Sequence, residues 1–310
     1  MITLREAVQE YLTLRRDMGF KLLQAGQLLH QAVSYMEAQN ASHVTLDLAL
    51  QWAMQPKDAK PATWASRLMV WRSFARHHSA ADPCTEIPPN NLLPYRPNRA
   101  KPYLYTERDI ERLMIRARAL PAEGGWVGQT YACLLGLLAV TGMRIGEAIA
   151  LEIRDADLTA GILIIRQAKF GRSRLIPLHP SSQQALLQYA QRRDTLLRRK
   201  TAARFFVSRS GRPLCTATFR QAFHTICGQI GLHRSETWDK PQLHHFRHRF
   251  AMTTLLHWYQ SGEDVEKRLP VLSTFLGHVS IADTYWYLSA RPELMREAVR
   301  RLERRWEKAP

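Results

Sequence analysis

The sequence has no run of eighteen or more apolar residues, the length a bilayer-crossing helix requires. Residues 1–10 carry charge early and lack an apolar signal core, which predicts a soluble, cytoplasmic protein that is not exported. Cysteine is scarce: Cys84, Cys133, Cys215 and Cys227 lie far apart, and none forms a Cys-x-x-Cys pair. That spacing reads as reduced thiols and argues against a disulfide framework. No Gly-x-x-x-x-Gly-Lys-Ser/Thr loop is present, so an ATP-driven motor is unsupported. Acidic residues are also short, 27 against 44 Lys plus Arg, leaving a net charge of +17. A field of that sign attracts polyanions, of which nucleic acid is the commonest. Ribosomal proteins, RNA binders and membrane-surface proteins share such a surface, so the charge sets a partner class and no activity.

What is present suffices for a packed core. Hydrophobic residues make up 45% of 310, which argues against disorder and allows one large domain or two ordinary ones. Residues 1–82 read as a helical bundle. Thr3 with Glu6 makes a capping box, and Leu4, Val8, Tyr11 and Leu12 follow at helical spacing. Further helices are predicted over 22–38, from 47, and over 63–78. In the last of these, Leu68, Trp71 and Ala75 can face a core while Arg67, Arg72, Arg76 and His77 point elsewhere. Residues 83–102 hold Pro83, Pro88, Pro89, Pro94, Pro97 and Pro102, which prevent continuous helix and predict a semi-rigid, extended linker. Its second half is basic, with Arg96, Arg99 and Lys101.

A second domain is expected over 103–310, mainly α with a small β-sheet, an α+β arrangement. Thr106 and Asp109 form a second capping box, and residues 131–140 are almost wholly apolar, which predicts a buried helix. The string T-G-M-R-I-G-E then places Arg144 at that helix's C-terminal edge with Glu147 three residues on, ordinarily a local ion pair. Residues 161–178 switch to period two with β-branched composition and a Gly-containing turn, a β-hairpin that carries Lys169, Arg172 and Arg174. Helices follow over 181–200 and 216–230. Next comes H-H-F-R-H, in which His244 and Arg247 share a helix face. Residues 276–287 read L-G-H-V-S-I-A-D-T-Y-W-Y, with His278 nine residues ahead of Tyr287 and Thr284 between. A closing amphipathic helix, 292–306, puts Leu294, Ala298, Leu302 and Trp306 on one side.

Taken in order, Arg144, a hairpin lysine, His-x-x-Arg, His278 and a final tyrosine resemble the tyrosine recombinase (phage integrase) family, by motif over roughly residues 103–290. The resemblance implies a helical core-binding domain and a catalytic domain that close on duplex DNA as a clamp. It implies a site-specific recombinase or integrase that cuts and rejoins DNA through a 3′-phosphotyrosyl link, with no metal, ATP or other cofactor. Lys169 is carried over because of its offset from the arginine ahead of L-I-P-L. The basic helix face (Arg67, Arg72, Arg76), the linker cations (Arg96, Arg99, Lys101) and the hairpin cations Arg172 and Arg174 are the expected DNA contacts. The family works as a homo-tetramer on DNA, often with its C-terminal segment docked on a neighbour. Docking on its own domain fits the sequence equally well. Accessory recombination proteins are among the partners the resemblance allows.

The residue types suit that chemistry. A phenol with a pKa near 10 forms an aryl phosphate from which the bond can be reversed. Two guanidiniums, Arg144 and Arg247, can grip phosphate oxygens bidentately and stay charged throughout. Lys169 among other cations can protonate the leaving 5′ oxygen, with His244 as acid–base partner, His278 as a donor to the phosphate and Tyr287 as nucleophile. Tyr285 is the competing phenol, disfavoured by its spacing from His278. His244 and His248 stand at i,i+4 as in zinc helices, but no carboxylate or cysteine accompanies them and Arg247 would repel a cation. Arg249, where the family usually has a small polar residue, and the bulky Trp286 suggest a divergent, transposon-borne branch. A type IB topoisomerase and an inactive DNA-binding protein of the same fold are the rival readings.

Overall fold

The computed structural model describes residues 2–93, 102–121, 125–166, 173–197, 202–233, 240–289 and 292–306. Side chains at 289, 292, 293, 302 and 304–306 are also outside the description. By packing the chain divides into two units, Met1–Arg99 and Ala100–Pro310.

Four helices make the first unit: α1 (Leu4–Asp17), α2 (Leu23–Ala38), α3 (Leu46–Met54) and α4 (Pro61–His78). The Thr3–Glu6 capping box forms as read, and Thr45 caps α3 by accepting from the Leu48 amide. Pro61 opens α4 at a position whose amide needs no partner. Val8, Leu12, Val33, Met36, Trp52, Leu68, Trp71 and Phe74 close the core, each at most 1% exposed. Residues after 82 join this unit. The Glu86 carboxylate accepts from the Leu46 amide, Arg72 donates to the carbonyls of Pro88 and Pro89, and Leu93 packs against the core. The stretch 83–93, expected as linker, is thus strapped to the bundle.

The second unit is built on α6 (Trp126–Thr141), buried along most of its length, which packs on α5 (Glu107–Arg118). Gly142 ends α6 at φ 60, and a Cβ there would meet Phe250 at 2.8 Å, so glycine is required twice over. The chain then turns into α7 (Ile145–Ala150). Three strands follow, β1 (Ala156–Asp157), β2 (Ile162–Ile165) and β3 (Arg174–Pro177), antiparallel in sequence order. Ile165 pairs with Arg174 and Ile162 with Pro177. Short β1, too brief to show a period, is absent from the sequence reading.

Helices α8 (Pro180–Leu197) and α9 (Thr216–Gln229) complete this core. The chain ends in α10 (His245–Gln260), α11 (Val265–Leu276), α12 (Ala282–Ser289) and α13 (Pro292–Trp306), around a second apolar cluster that includes Leu255, Leu272, Leu276, Tyr287 and Leu294. Helix α13 packs on α10 and α12 of its own unit, with Leu294 1% exposed. Among the described residues no helix is long and apolar enough to cross a membrane.

Candidate active site

Three junctions bring the site together: the α6–α7 turn, the N-terminus of α10, and the α11–α12 turn. Arg144 caps α7, where its amide bonds to Glu147 Oε2 at 2.9 Å and its Nη1 to Glu147 Oε1 at 2.8 Å. Its Nη2 reaches across to the Gly277 carbonyl, 3.1 Å. Arg144 therefore begins α7 rather than ending α6.

Arg247, in the first turn of α10, is 2% exposed. It donates to the Gly142 carbonyl at 3.1 Å and to the Leu276 carbonyl, and its charge acts on the neighbouring Tyr287 phenol. These carbonyls stand at the C-cap of α6 and in the last residue of α11, helix ends that carry partial negative charge. Burial, then the charge of Arg144, lowers the Arg247 pKa to about 10, so it stays cationic at neutral pH. Burial also raises the Tyr287 phenol, an effect that the neighbouring Arg247 charge opposes without reversing.

His278 follows Gly277, whose φ of 67 breaks α11 and turns the chain toward α12. Its Nδ1 lies 2.7 Å from the hydroxyl of Thr284, which is fully buried, and its ring stacks near Tyr287 at 6.0 Å between centroids. When that hydroxyl donates, Nδ1 is the acceptor and the ring proton sits on Nε2. Desolvation, then Arg247, pushes His278 down to about 4. His244 precedes α10, with its ring 4.7 Å from His248, whose ring is in turn 5.5 Å from Tyr287. Desolvation and then the charges of Arg247, His245 and Arg144 push His244 down to about 4.

Five of the six expected catalytic residues thus meet at one place. Lys169 lies outside the described residues, as do Arg96, Arg99, Lys101 and Arg172. Tyr285 is 49% exposed on α12, whereas Tyr287 is 2% exposed beside Arg247.

The expected DNA-facing cations divide. Arg67 donates to the Trp52 carbonyl at 2.9 Å and lies over the Trp52 ring, and Arg72 is held by Pro88 and Pro89. Both are tied to backbone carbonyls within this unit. Arg76 is exposed. The Arg174 side chain is 7% exposed and bonded to Glu147 and the Phe275 carbonyl.

Residues 105–293 match the model of the phage integrase family. This chain belongs to the phage integrase family. A Sinorhizobium fredii protein named as an integrase/recombinase, y4rB, is 46% identical over 314 residues, 99% of each chain. The tyrosine recombinase XerC of Chlamydia caviae is 29% identical over 244 residues, covering 79% of this chain and 72% of that one. Among solved structures, the Tn1549 transposon integrase in complex with transposon right end DNA superposes with a TM-score of 0.68 at 17% identity, over 98% of this chain and 99% of that one. That likeness is one of fold.

Set in this phage integrase fold, the two departures find local reasons. Arg249 Nε donates to the Tyr105 carbonyl at 2.8 Å, tying α10 to the segment ahead of α5. The Trp286 ring packs on His248 at 5.0 Å. Two supporting residues escaped their full reading in the sequence. Glu147 was legible only as the Arg144 partner, and Thr284 only as a residue between His278 and Tyr287.

Proposed function

We propose that this protein is a site-specific DNA recombinase, a tyrosine-type strand transferase that cuts and rejoins duplex DNA through a 3′-phosphotyrosyl intermediate. The observation that carries the reading is the buried Tyr287 phenol beside the Arg247 guanidinium, with Arg144, His244 and His278 around it.

In this mechanism the guanidiniums of Arg247 and Arg144 take the non-bridging oxygens of the scissile phosphate, where negative charge builds in the transition state. The Tyr287 oxygen attacks phosphorus, a new P–O bond forms, and the bond to the 5′ oxygen breaks. The phenol proton passes to His244, which is neutral at neutral pH and so open to accept it. Lys169 supplies the proton the leaving 5′ oxygen needs. His278, fixed by Thr284, donates from Nε2 to the phosphate. The bond energy stays in the phosphotyrosine, so a second 5′ hydroxyl can reverse the step without ATP.

Arg76, Arg96, Arg99, Lys101 and Arg172 serve as phosphate contacts on the flanking duplex, which positions the site without reading bases. The protein acts in the cytoplasm, where duplex DNA is available, as a homo-tetramer. Support for assembly is the outer face of α13, where Met295 and Val299 remain 53% and 49% exposed.

Covalent trapping tests the reading. Nicked duplexes tiled from the DNA beside the protein's own gene are incubated with chelator and run in SDS, with Tyr287→Phe and Tyr285→Phe alongside. An SDS-resistant adduct lost only in Tyr287→Phe is expected. An adduct that depends on Tyr285, or is lost with chelator, overturns the assignment.

A further inference from the structure

Arg174 is a heavily engaged cation outside the group proposed to meet the phosphate. It opens β3, pairs in register with Ile165, and has a side chain only 7% exposed. Its Nη2 and Nη1 lie 2.7 and 3.2 Å from the two oxygens of Glu147, a fork-to-fork pair. Its Nε donates to the Phe275 carbonyl at 2.7 Å, in the last turn of α11. The same Glu147 holds both the amide and Nη1 of Arg144, whose Nη2 bonds to Gly277, the residue before His278.

We infer that Arg174 is a positioning residue for strand transfer: it fixes the Glu147 carboxylate and the end of α11, and through them holds Arg144 and His278 in place. This rests on the recombinase reading above and assigns Arg174 an inward task in place of a DNA contact. The geometry forms a closed loop. From Arg174 one path runs through Glu147 to Arg144, the other through Phe275 to the Gly277–His278 turn, and the Arg144–Gly277 bond joins them. Three elements distant in sequence thereby share one anchor. A Cβ on Gly277 would lie 2.9 Å from the Arg174 guanidinium, so the turn is packed directly on it. A buried carboxylate facing cations is stable only while they remain. The charged groups facing Glu147 are Arg144 from its own turn, Arg174 from β3 and Arg247 from α10.

The test compares full-chain wild type, Arg174→Met, Arg174→Lys and Arg174→Met/Glu147→Gln. Two measurements are made: adduct formation against pH on a nicked duplex that wild type cleaves, and the Glu147 carboxyl titration by carbon NMR without DNA. Glu147→Gln assigns the NMR signal. Burial raises Glu147 while the hydrogen bonds and charges of Arg174 and Arg144 lower it, with a net result below the ordinary carboxylate value. Arg174→Met is therefore expected to raise the Glu147 titration. It should slow cleavage about 100-fold, the scale of a slight misplacement of reacting groups. The loss should be greatest at low pH and shrink as pH rises and Glu147 ionises, a limb absent from the Arg174→Met/Glu147→Gln double variant. Lysine, with charge but no fork, should restore part of the rate. Affinity for a random duplex and its salt slope should match wild type.

If Arg174→Met leaves the Glu147 titration unchanged, the inference is overturned. It is equally overturned if the variant cleaves normally once bound and its salt slope drops by about 0.9, the signature of one lost phosphate contact. A raised Glu147 titration with no wild-type adduct on any tile would keep the positioning geometry and sink the recombinase reading instead.

Discussion

The Arg247 guanidinium lies beside the Tyr287 phenol and its charge opposes the rise that burial imposes on it, and each residue is only 2% exposed. The proposed nucleophile and the proposed phosphate-binding cation are thus neighbours in the DNA-free chain. Arg247 donates to the carbonyls of Gly142 and Leu276, so its position is set by the ends of two helices.

Arg247→Lys cannot hold both carbonyls and still present a fork to phosphate, since an ammonium is a point charge with no planar fork. It should cut adduct formation by about 10²–10³-fold, as for removal of one preorganised donor. Arg247→Ala should in addition leave two buried carbonyls unpaired and lower unfolding free energy by about 3 kcal/mol. Single-turnover cleavage and urea unfolding check the two claims. A lysine variant that cleaves normally refutes the role.

Thr284 is fully buried and bonds His278 Nδ1 at 2.7 Å. Thr284→Val keeps the shape and deletes the bond, so the ring can rotate and its proton is no longer directed to Nε2. Cleavage should fall about tenfold, the worth of one ordinary hydrogen bond, while Thr284→Ser retains the rate. Equal rates in the valine and serine variants would show that the bond does not orient His278.

Acid should weaken the DNA-free fold well above the carboxylate range. His278 is pushed down to about 4 in the folded chain, whereas a histidine in the unfolded chain titrates near 6.5. Between those values the unfolded state binds more protons, so stability rises with pH across the window and is fully present above it. From pH 7 to pH 5 the loss through His278 should be about 1 kcal/mol after allowing for its residual solvent contact. Glu147, lowered rather than raised, adds its own loss only at more acid pH. Calorimetry of wild type and His278→Asn at both pH values decides. Equal acid losses in the two proteins would remove His278 as the cause.

Assembly should depend on the outer face of α13. Met295→Glu and Val299→Glu change exposed positions, so melting temperature and single-site DNA binding should stay as in wild type. Higher-order complexes on paired sites should be lost in native gels. Intact tetramers in the double variant would place the interface elsewhere.

Much of this was legible in the sequence. Capping boxes at Thr3–Glu6 and Thr106–Asp109 are local chemistry, and both form. The proposed reacting side chains sit in strings whose spacing survives without structure. What escaped were the destinations of long cations. Arg72, Arg76 and Arg174 look alike in a sequence, yet Arg72 holds a proline strap, Arg76 is exposed, and Arg174 is buried against Glu147. Partners 16 and 27 residues away cannot be read from helical periodicity. Strand β1 was too short to show alternation. The break at Gly277 was visible as a glycine, but not as the point where Arg144 and Arg174 converge.

That convergence makes Gly277 the most informative single position to change. At φ 67 an added Cβ costs about 1 kcal/mol from the left-handed backbone alone. It would also stand 2.9 Å from an Arg174 guanidinium that Glu147 and Phe275 prevent from retreating. Gly277→Ala should therefore lower the melting temperature modestly and cleavage severely, because the displaced groups include the anchor of Arg144 and the turn before His278. Adding Arg174→Met should relieve the clash without repairing the anchor: stability recovers relative to Gly277→Ala while cleavage stays low. If cleavage recovers together with stability, the crowding at Gly277 is purely steric and Arg174 does not position the site.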